Sequence, residues 1–193
     1  MAITRLGGAN AISGTLPAAN INNTSIGNVT ALPAGVGGKV LQVINSTINY
    51  AQTSTSTSDT DILSSSGTTW ETAITPSATS SKILIQASIC IYNAQNGEST
   101  VQENRFDLNS FIKIGAGSYS SFLDQTSFGH YYYNGTQKVI LAPNTLTFSK
   151  LYTSNTTSAV TFKFNYHLNS SGGIVEVNAG GKTSSLTLSE IAG

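Results

Sequence analysis

Residues 83–92 read Ile-Leu-Ile-Gln-Ala-Ser-Ile-Cys-Ile-Tyr. Side chains of a strand alternate between two faces, so Ile83, Ile85, Ala87, Ile89 and Ile91 share one side, and Leu84, Gln86, Ser88, Cys90 and Tyr92 the other. One face is wholly apolar and needs a cover. Residues 161–168 repeat the pattern, with Phe162, Phe164, Tyr166 and Leu168 alternating with Lys163, Asn165 and His167. The first set belongs to a core and the second to a wet face. Two such strands are satisfied when two sheets pack face to face.

Further strands are predicted at 39–48, 102–114, 126–133, 136–142, 145–152, 174–178 and 184–191, each bounded by Gly, Asn or Ser clusters. No window carries a 3.6-residue period, so the expected class is all-β, a sandwich or barrel. Asn134-Gly135 supplies the positive φ angles of a tight hairpin turn between His130–Tyr133 and Thr136–Leu141. Pro143-Asn144 marks another turn. Thr53–Ser58, a Thr-Ser alternation, reads as a loop or exposed edge.

The chain has 193 residues, enough for one domain and an appendage. Only 9% of residues are charged and the formal net charge is +0, against about 25% charged in ordinary soluble domains. That balance argues against a polyanion-binding surface, so no nucleic-acid partner is expected. Apolar runs are far shorter than the ~18 residues of a spanning helix, so no membrane insertion is expected. The opening MAITRLGGAN lacks the apolar core of a secretory signal. A single cysteine, Cys90, allows no intrachain disulfide.

From Leu6 to Gly38 there is no Asp, Glu, Lys or Arg. The larger apolar residues Leu16, Ile21 and Ile26 recur every five positions, a spacing that makes neither a helical nor a strand face. Such a segment is poor at folding alone but suited to packing on another chain. Residues 1–38 are therefore predicted to form an extended arm, with Ile3, Leu6, Leu16, Ile21, Ile26 and Val29 as its packing residues. Fully extended, Leu6–Gly38 reaches at most about 110 Å, at ~3.3 Å per residue. Residues 39–193 are the predicted globular part.

Positive signs of catalysis are lacking. His130 and His167, the two histidines, have no ligand-type residue at metal spacing. Asp59-Thr60-Asp61 offers two carboxylates but lacks the Gly-rich loop and downstream acid of an EF-hand. The remaining acids, Glu71, Glu98, Glu103, Asp107, Asp124, Glu176 and Glu190, are scattered singly, and nothing marks the pair a glycosidase requires. No Gly-x-Ser-x-Gly elbow occurs, and Gly37-Gly38-Lys39 lacks the rest of a P-loop. The expectation is a non-enzyme with no catalytic residue, no cofactor and no metal. Asn-x-Ser/Thr triplets at Asn22, Asn23, Asn28, Asn45, Asn134, Asn155 and Asn169 follow from composition and are expected to stay unmodified. The aromatic run Phe128–Tyr133 is the best binding candidate, with Tyr131 and Tyr133 on one side as receptor contacts. The competing reading packs these rings in the core or on a neighbouring subunit.

Three stretches carry a family resemblance: MAITRLGGANAISGTLPAANINNTSIGNVTALPAGVGGKVLQV at the start, ITPSATSSKILI at 74–85, and LTLSEIAG at 186–193. They resemble small tail-fibre-like virion proteins of bacteriophages that infect aquatic bacteria, of marine or cyanophage type. Residues 93–182 carry no matching motif. The resemblance implies a homotrimeric fibre, joined to other virion proteins by its N-terminal arm. It also implies an outward jelly-roll-like β-sandwich knob that contacts a host-surface glycan or protein. Such a protein is assembled in the bacterial cytoplasm and released in virions by lysis. The alternatives are a capsid fibre or decoration protein of the phage head, and a carbohydrate-binding adhesin module.

Overall fold

The computed structural model describes residues 40–95, 103–131, 144–169 and 173–193. Thirteen strands are found among them: β1 (Val40–Ile48), β2 (Gln52–Ser54), β3 (Thr60–Asp61), β4 (Leu63–Ser65), β5 (Thr68–Thr69), β6 (Glu71–Ile74) and β7 (Lys82–Gln95), followed by β8 (Glu103–Ile114), β9 (Ser120–Tyr131), β10 (Asn144–Thr153), β11 (Val160–Leu168), β12 (Gly173–Val177) and β13 (Ser184–Ile191). No described helix is long and apolar enough to cross a membrane.

All pairings in the two main sheets are antiparallel. In the first sheet β7 pairs with β10 on one edge, and on its other edge with β13 over 82–88 and β12 over 91–95. Strands β12 and β13 therefore run as one interrupted row, and β1 and β2 pair beyond them as a second. In the second sheet β11 lies between β8 and a split row of β6 and β3, with β9 outside β8. Each sheet has four rows. In chain order the first sheet holds rows one, eight, three and six, and the second holds two, seven, four and five. This is the two-Greek-key order of a jelly roll, and the fold is an all-β sandwich.

The facing sides supply one core. Ile83, Ile85, Ala87, Ile89 and Ile91 of β7 are buried against Phe162, Phe164, Tyr166 and Leu168 of β11, as the alternation requires. Each fully buried Ile or Phe contributes roughly 1.5–3 kcal/mol. Trp70 seals one part of this core, its ring 5.9 Å from that of Phe164 and its Nε1 donating to Ser46 Oγ at 2.8 Å. Phe122, Tyr152 and Phe162 meet edge to face near the β9–β10 side. There Lys150 occupies an inward position on β10 and donates to Phe122 O at 3.0 Å, so a lysine stem closes the gap between the sheets.

The row interruption beside β7 has a specific plug. Asn178 sits at φ 57° with no exposed surface, donates its N–H to Cys90 O, and receives Ser184 Oγ on Oδ1 at 2.6 Å. Ser184 Oγ in turn accepts from Cys90 N, and Asn178 Nδ2 donates to Tyr50 O. Asn tolerates the left-handed backbone, while its backbone N–H and the Ser184 hydroxyl replace the ladder bonds to Cys90 that are missing between β12 and β13, and its amide holds that hydroxyl.

Predicted and observed strands agree for 39–48, 102–114, 145–152, 174–178 and 184–191 within one residue at each end. The strand predicted at 126–133 begins earlier, at Ser120, because Ser120 and Ser121 pair with Ile112 and Phe111 beyond the turn at Gly115. The Thr-Ser stretch splits as its composition allows: Gln52–Ser54 is an edge strand, and Ser56 and Ser58 form local hydroxyl turns. The strand at 136–142, the Asn134-Gly135 turn and the arm 1–38 lie outside the described residues.

Candidate functional site

The two outward faces of the sandwich differ in chemistry. On the first sheet, cross-strand register aligns three rows of outward side chains. They are Val43–Ser189–Leu84–Leu151, Asn45–Thr187–Gln86–Ser149 and Thr47–Ser185–Ser88–Thr147, with Cys90–Thr145 beyond. None of these residues is charged. The second and third rows floor a shallow depression of about 470 Å³ lined by Gln86, Ser88, Thr147, Ser149, Ser185 and Thr187. The first row is largely apolar, with Val43 55% and Leu151 50% exposed. It continues onto the edge strand β1, where Val40, Leu41 and Ile44 are also exposed. An exposed apolar edge is a template for another chain unless it is covered.

The second sheet carries charge on its outward face, and much of that face is buried. Lys163 donates to Asp61 Oδ1 at 2.7 Å and lies 4.6 Å from the Tyr119 ring; Asp61 Oδ2 accepts from Thr69. Lys113 lies over the same ring and 3.6 Å from Glu71. Burial, with the Glu71 and Asp61 carboxylates nearby, raises the Tyr119 phenol well above its ordinary range. His167 reaches Asp59 Oδ1 through Nδ1 at 2.9 Å and stands 3.4 Å from Asp107 Oδ2 through Nε2. Asp107 also accepts from Asn169.

The alternation places Lys163, Asn165 and His167 on the outward face, but that face is not simply wet. Asn165 and Asn109 are nine-tenths buried, because the polar groups pack on one another and under the Asp59 loop. Sequence alternation reports the face of a residue and not what covers it. The same holds for the apparently scattered acid Glu190, whose carboxylate receives Ser77 N and Oγ, Ser81 Oγ and Gln42 Nε2 at 2.6–2.7 Å. Burial works to raise its pKa, but these donors outweigh it and hold the carboxyl at about 2. Gln42, Ser77, Ser81 and Glu190 come from residues 1–43, 74–85 and 186–193, so three stretches distant in sequence meet at one carboxylate.

Among the predicted interaction residues, Ile3, Leu6, Leu16, Ile21, Ile26, Val29 and Tyr133 lie outside the described residues. Tyr131 ends β9 opposite Glu103, and its side chain is outside the described part. Cys90 lies on the mixed face as expected, half-buried, with Sγ 3.6 Å from Thr145 Oγ1. A narrow apolar cavity of about 80 Å³ lies between the sheets, lined by Leu108, Leu123, Leu146, Phe148 and Phe164. Among the described residues no group of three or more His, Cys, Asp or Glu is placed to hold a metal.

No protein-family model matches the chain, and no curated protein matches it. Solved structures similar in part include that of infectious bursal disease virus Gx strain, at 14% identity and TM-score 0.35, covering 79% of this chain and 37% of that one. The VP2 subviral particle of infectious bursal disease virus is similar at 12% identity and TM-score 0.32, covering 80% of this chain and 39% of that one. The Gt strain structure gives 11% and 0.33, with 80% and 39% covered. This chain thus spans under two-fifths of the length of those it resembles.

Proposed function

We propose that this chain is a structural component of a phage virion, a homotrimeric tail fibre attached by residues 1–38 and displaying the sandwich of 39–193 for host-surface contact. The observation that carries the reading is the continuity of uncharged surface with uncharged sequence. Leu6–Gly38 has no ionic side chain, and it leads through Lys39 into β1, whose Val40, Leu41, Val43 and Ile44 are exposed beside the uncharged central rows of the first sheet's outward face. Packing such surfaces on other subunits desolvates no charge, which suits permanent assembly. The resemblance of the three stretches to tail-fibre-like proteins supports the same role.

Deleting residues 2–30 tests this. The expected product is a folded trimer, seen by sedimentation, that no longer joins particles. Incorporation of the deleted chain into virions at the normal level would refute the role of the arm.

A further inference from the structure

The outward face of the second sheet contains a row that its own residues leave incomplete. Asp61, Asn165 and Asn109 are direct cross-strand neighbours on β3, β11 and β8, so their side chains stand on one face within contact of one another. Asp59 arches over this row, its Oδ1 accepting from Asn109 Nδ2 at 2.9 Å and from His167 Nδ1 at 2.9 Å. With its Nδ2 held by Asp59, the Asn109 amide leaves its Oδ1 outside that bond.

That oxygen and the Oδ1 of Asn165 are both buried and both without a hydrogen-bond partner, in residues only 6% and 8% exposed. A buried amide carbonyl left unpaired costs about 1–3 kcal/mol, so each of these two neighbouring residues calls for a partner. They accept only, and their neighbour Asp59 is an anion. Asp61 does not serve, since Lys163 and Thr69 already hold its two oxygens. A cation satisfies such oxygens and a neighbouring carboxylate together.

We propose that Asp59, Asn109 Oδ1 and Asn165 Oδ1 bind one calcium ion, with water completing its shell. Calcium takes carboxylate and neutral carbonyl oxygens in flexible numbers, whereas magnesium asks for a near-regular octahedron and gives up water reluctantly. The Asp59 side chain is 42% exposed, which gives the ion an approach and its waters room. One carboxylate and two amides make a weak site. Its dissociation constant belongs in the range of about 10⁻⁴ to 10⁻³ M seen for extracellular modules.

Equilibrium dialysis of the full chain against ⁴⁵Ca²⁺ tests the site. One saturable ion per chain is expected, together with a Tm several degrees higher in 10 mM CaCl₂ than in EDTA. Asp59→Asn should weaken binding by about tenfold or more, Asn165→Asp should tighten it by adding a second carboxylate, and Glu176→Gln, on the other sheet, should leave it unchanged. Thermal unfolding in EDTA establishes that each variant is folded. Absence of saturable binding up to 10 mM would overturn the proposal, as would equal binding by wild type, Asp59→Asn and Asn165→Asp.

Discussion

Replacing Glu190 by Gln removes the charge on which Ser77, Ser81 and Gln42 converge. The carboxyl stands at about 2 in the folded protein against 4.5 for the free group. At ~1.36 kcal/mol per unit, that depression amounts to about 3 kcal/mol, and because the Gln Oε1 can still accept from Ser77 and Ser81 the expected loss is about 2 kcal/mol. Because the folded pKa is the lower one, the unfolded chain binds the proton more readily. The contribution is therefore complete above about pH 4.5 and is lost as pH falls towards 2.

Wild type should accordingly exceed Glu190→Gln by about 2 kcal/mol at pH 7, or ~4–8 °C in Tm, with the gap closing between pH 4.5 and 2. Urea titration at fixed protein concentration, followed by fluorescence of the buried single tryptophan Trp70, measures this directly. Taking the difference between the two proteins cancels the other carboxylates. A gap below about 0.5 kcal/mol, or one that does not change between pH 7 and 2.5, would refute the reasoning.

Three further outcomes are expected. Asn178→Ala should cost about 2–3 kcal/mol in the same titration, whereas Asn178→Gly should cost less, because Gly keeps the φ of 57° and loses only the amide bonds. Leu151→Lys, at a half-exposed position on the apolar row, should leave the unfolding free energy within about 0.5 kcal/mol of wild type but lower the sedimentation coefficient if that face packs on another copy. Substituting Tyr131 and Tyr133 by Ala should reduce adsorption of particles to host cells; loss of the trimer instead would make them packing residues.

The long strands were legible because their signal is local. Five apolar side chains at alternate positions of β7 and four in β11 leave one choice of inward face, and the structure follows it. The strands between Gln52 and Ile74 were not, since runs of two to four residues rich in Ser and Thr carry no apolar alternation; β2, β3 and β6 take their pairing from β12 and β11, and β4 and β5 pair with each other. The site residues failed to stand out for a related reason. Asp59 meets His167 across 108 positions and Glu190 meets Ser77 across 113, so neither cluster has a spacing that a motif could record. Low charge, by contrast, was a whole-chain property. Its structural counterpart, uncharged central rows on one outward face and an ionic network on the other, appears only when register is known.

The central claim is membership of a virion, and the most direct measurement is to locate the chain in intact particles purified on a density gradient after lysis. Fixed stoichiometry in multiples of three is expected, with sandwich-shaped density projecting from the tail. Density at capsomer centres would move the protein to the head, and absence of the chain from purified particles would contradict the account.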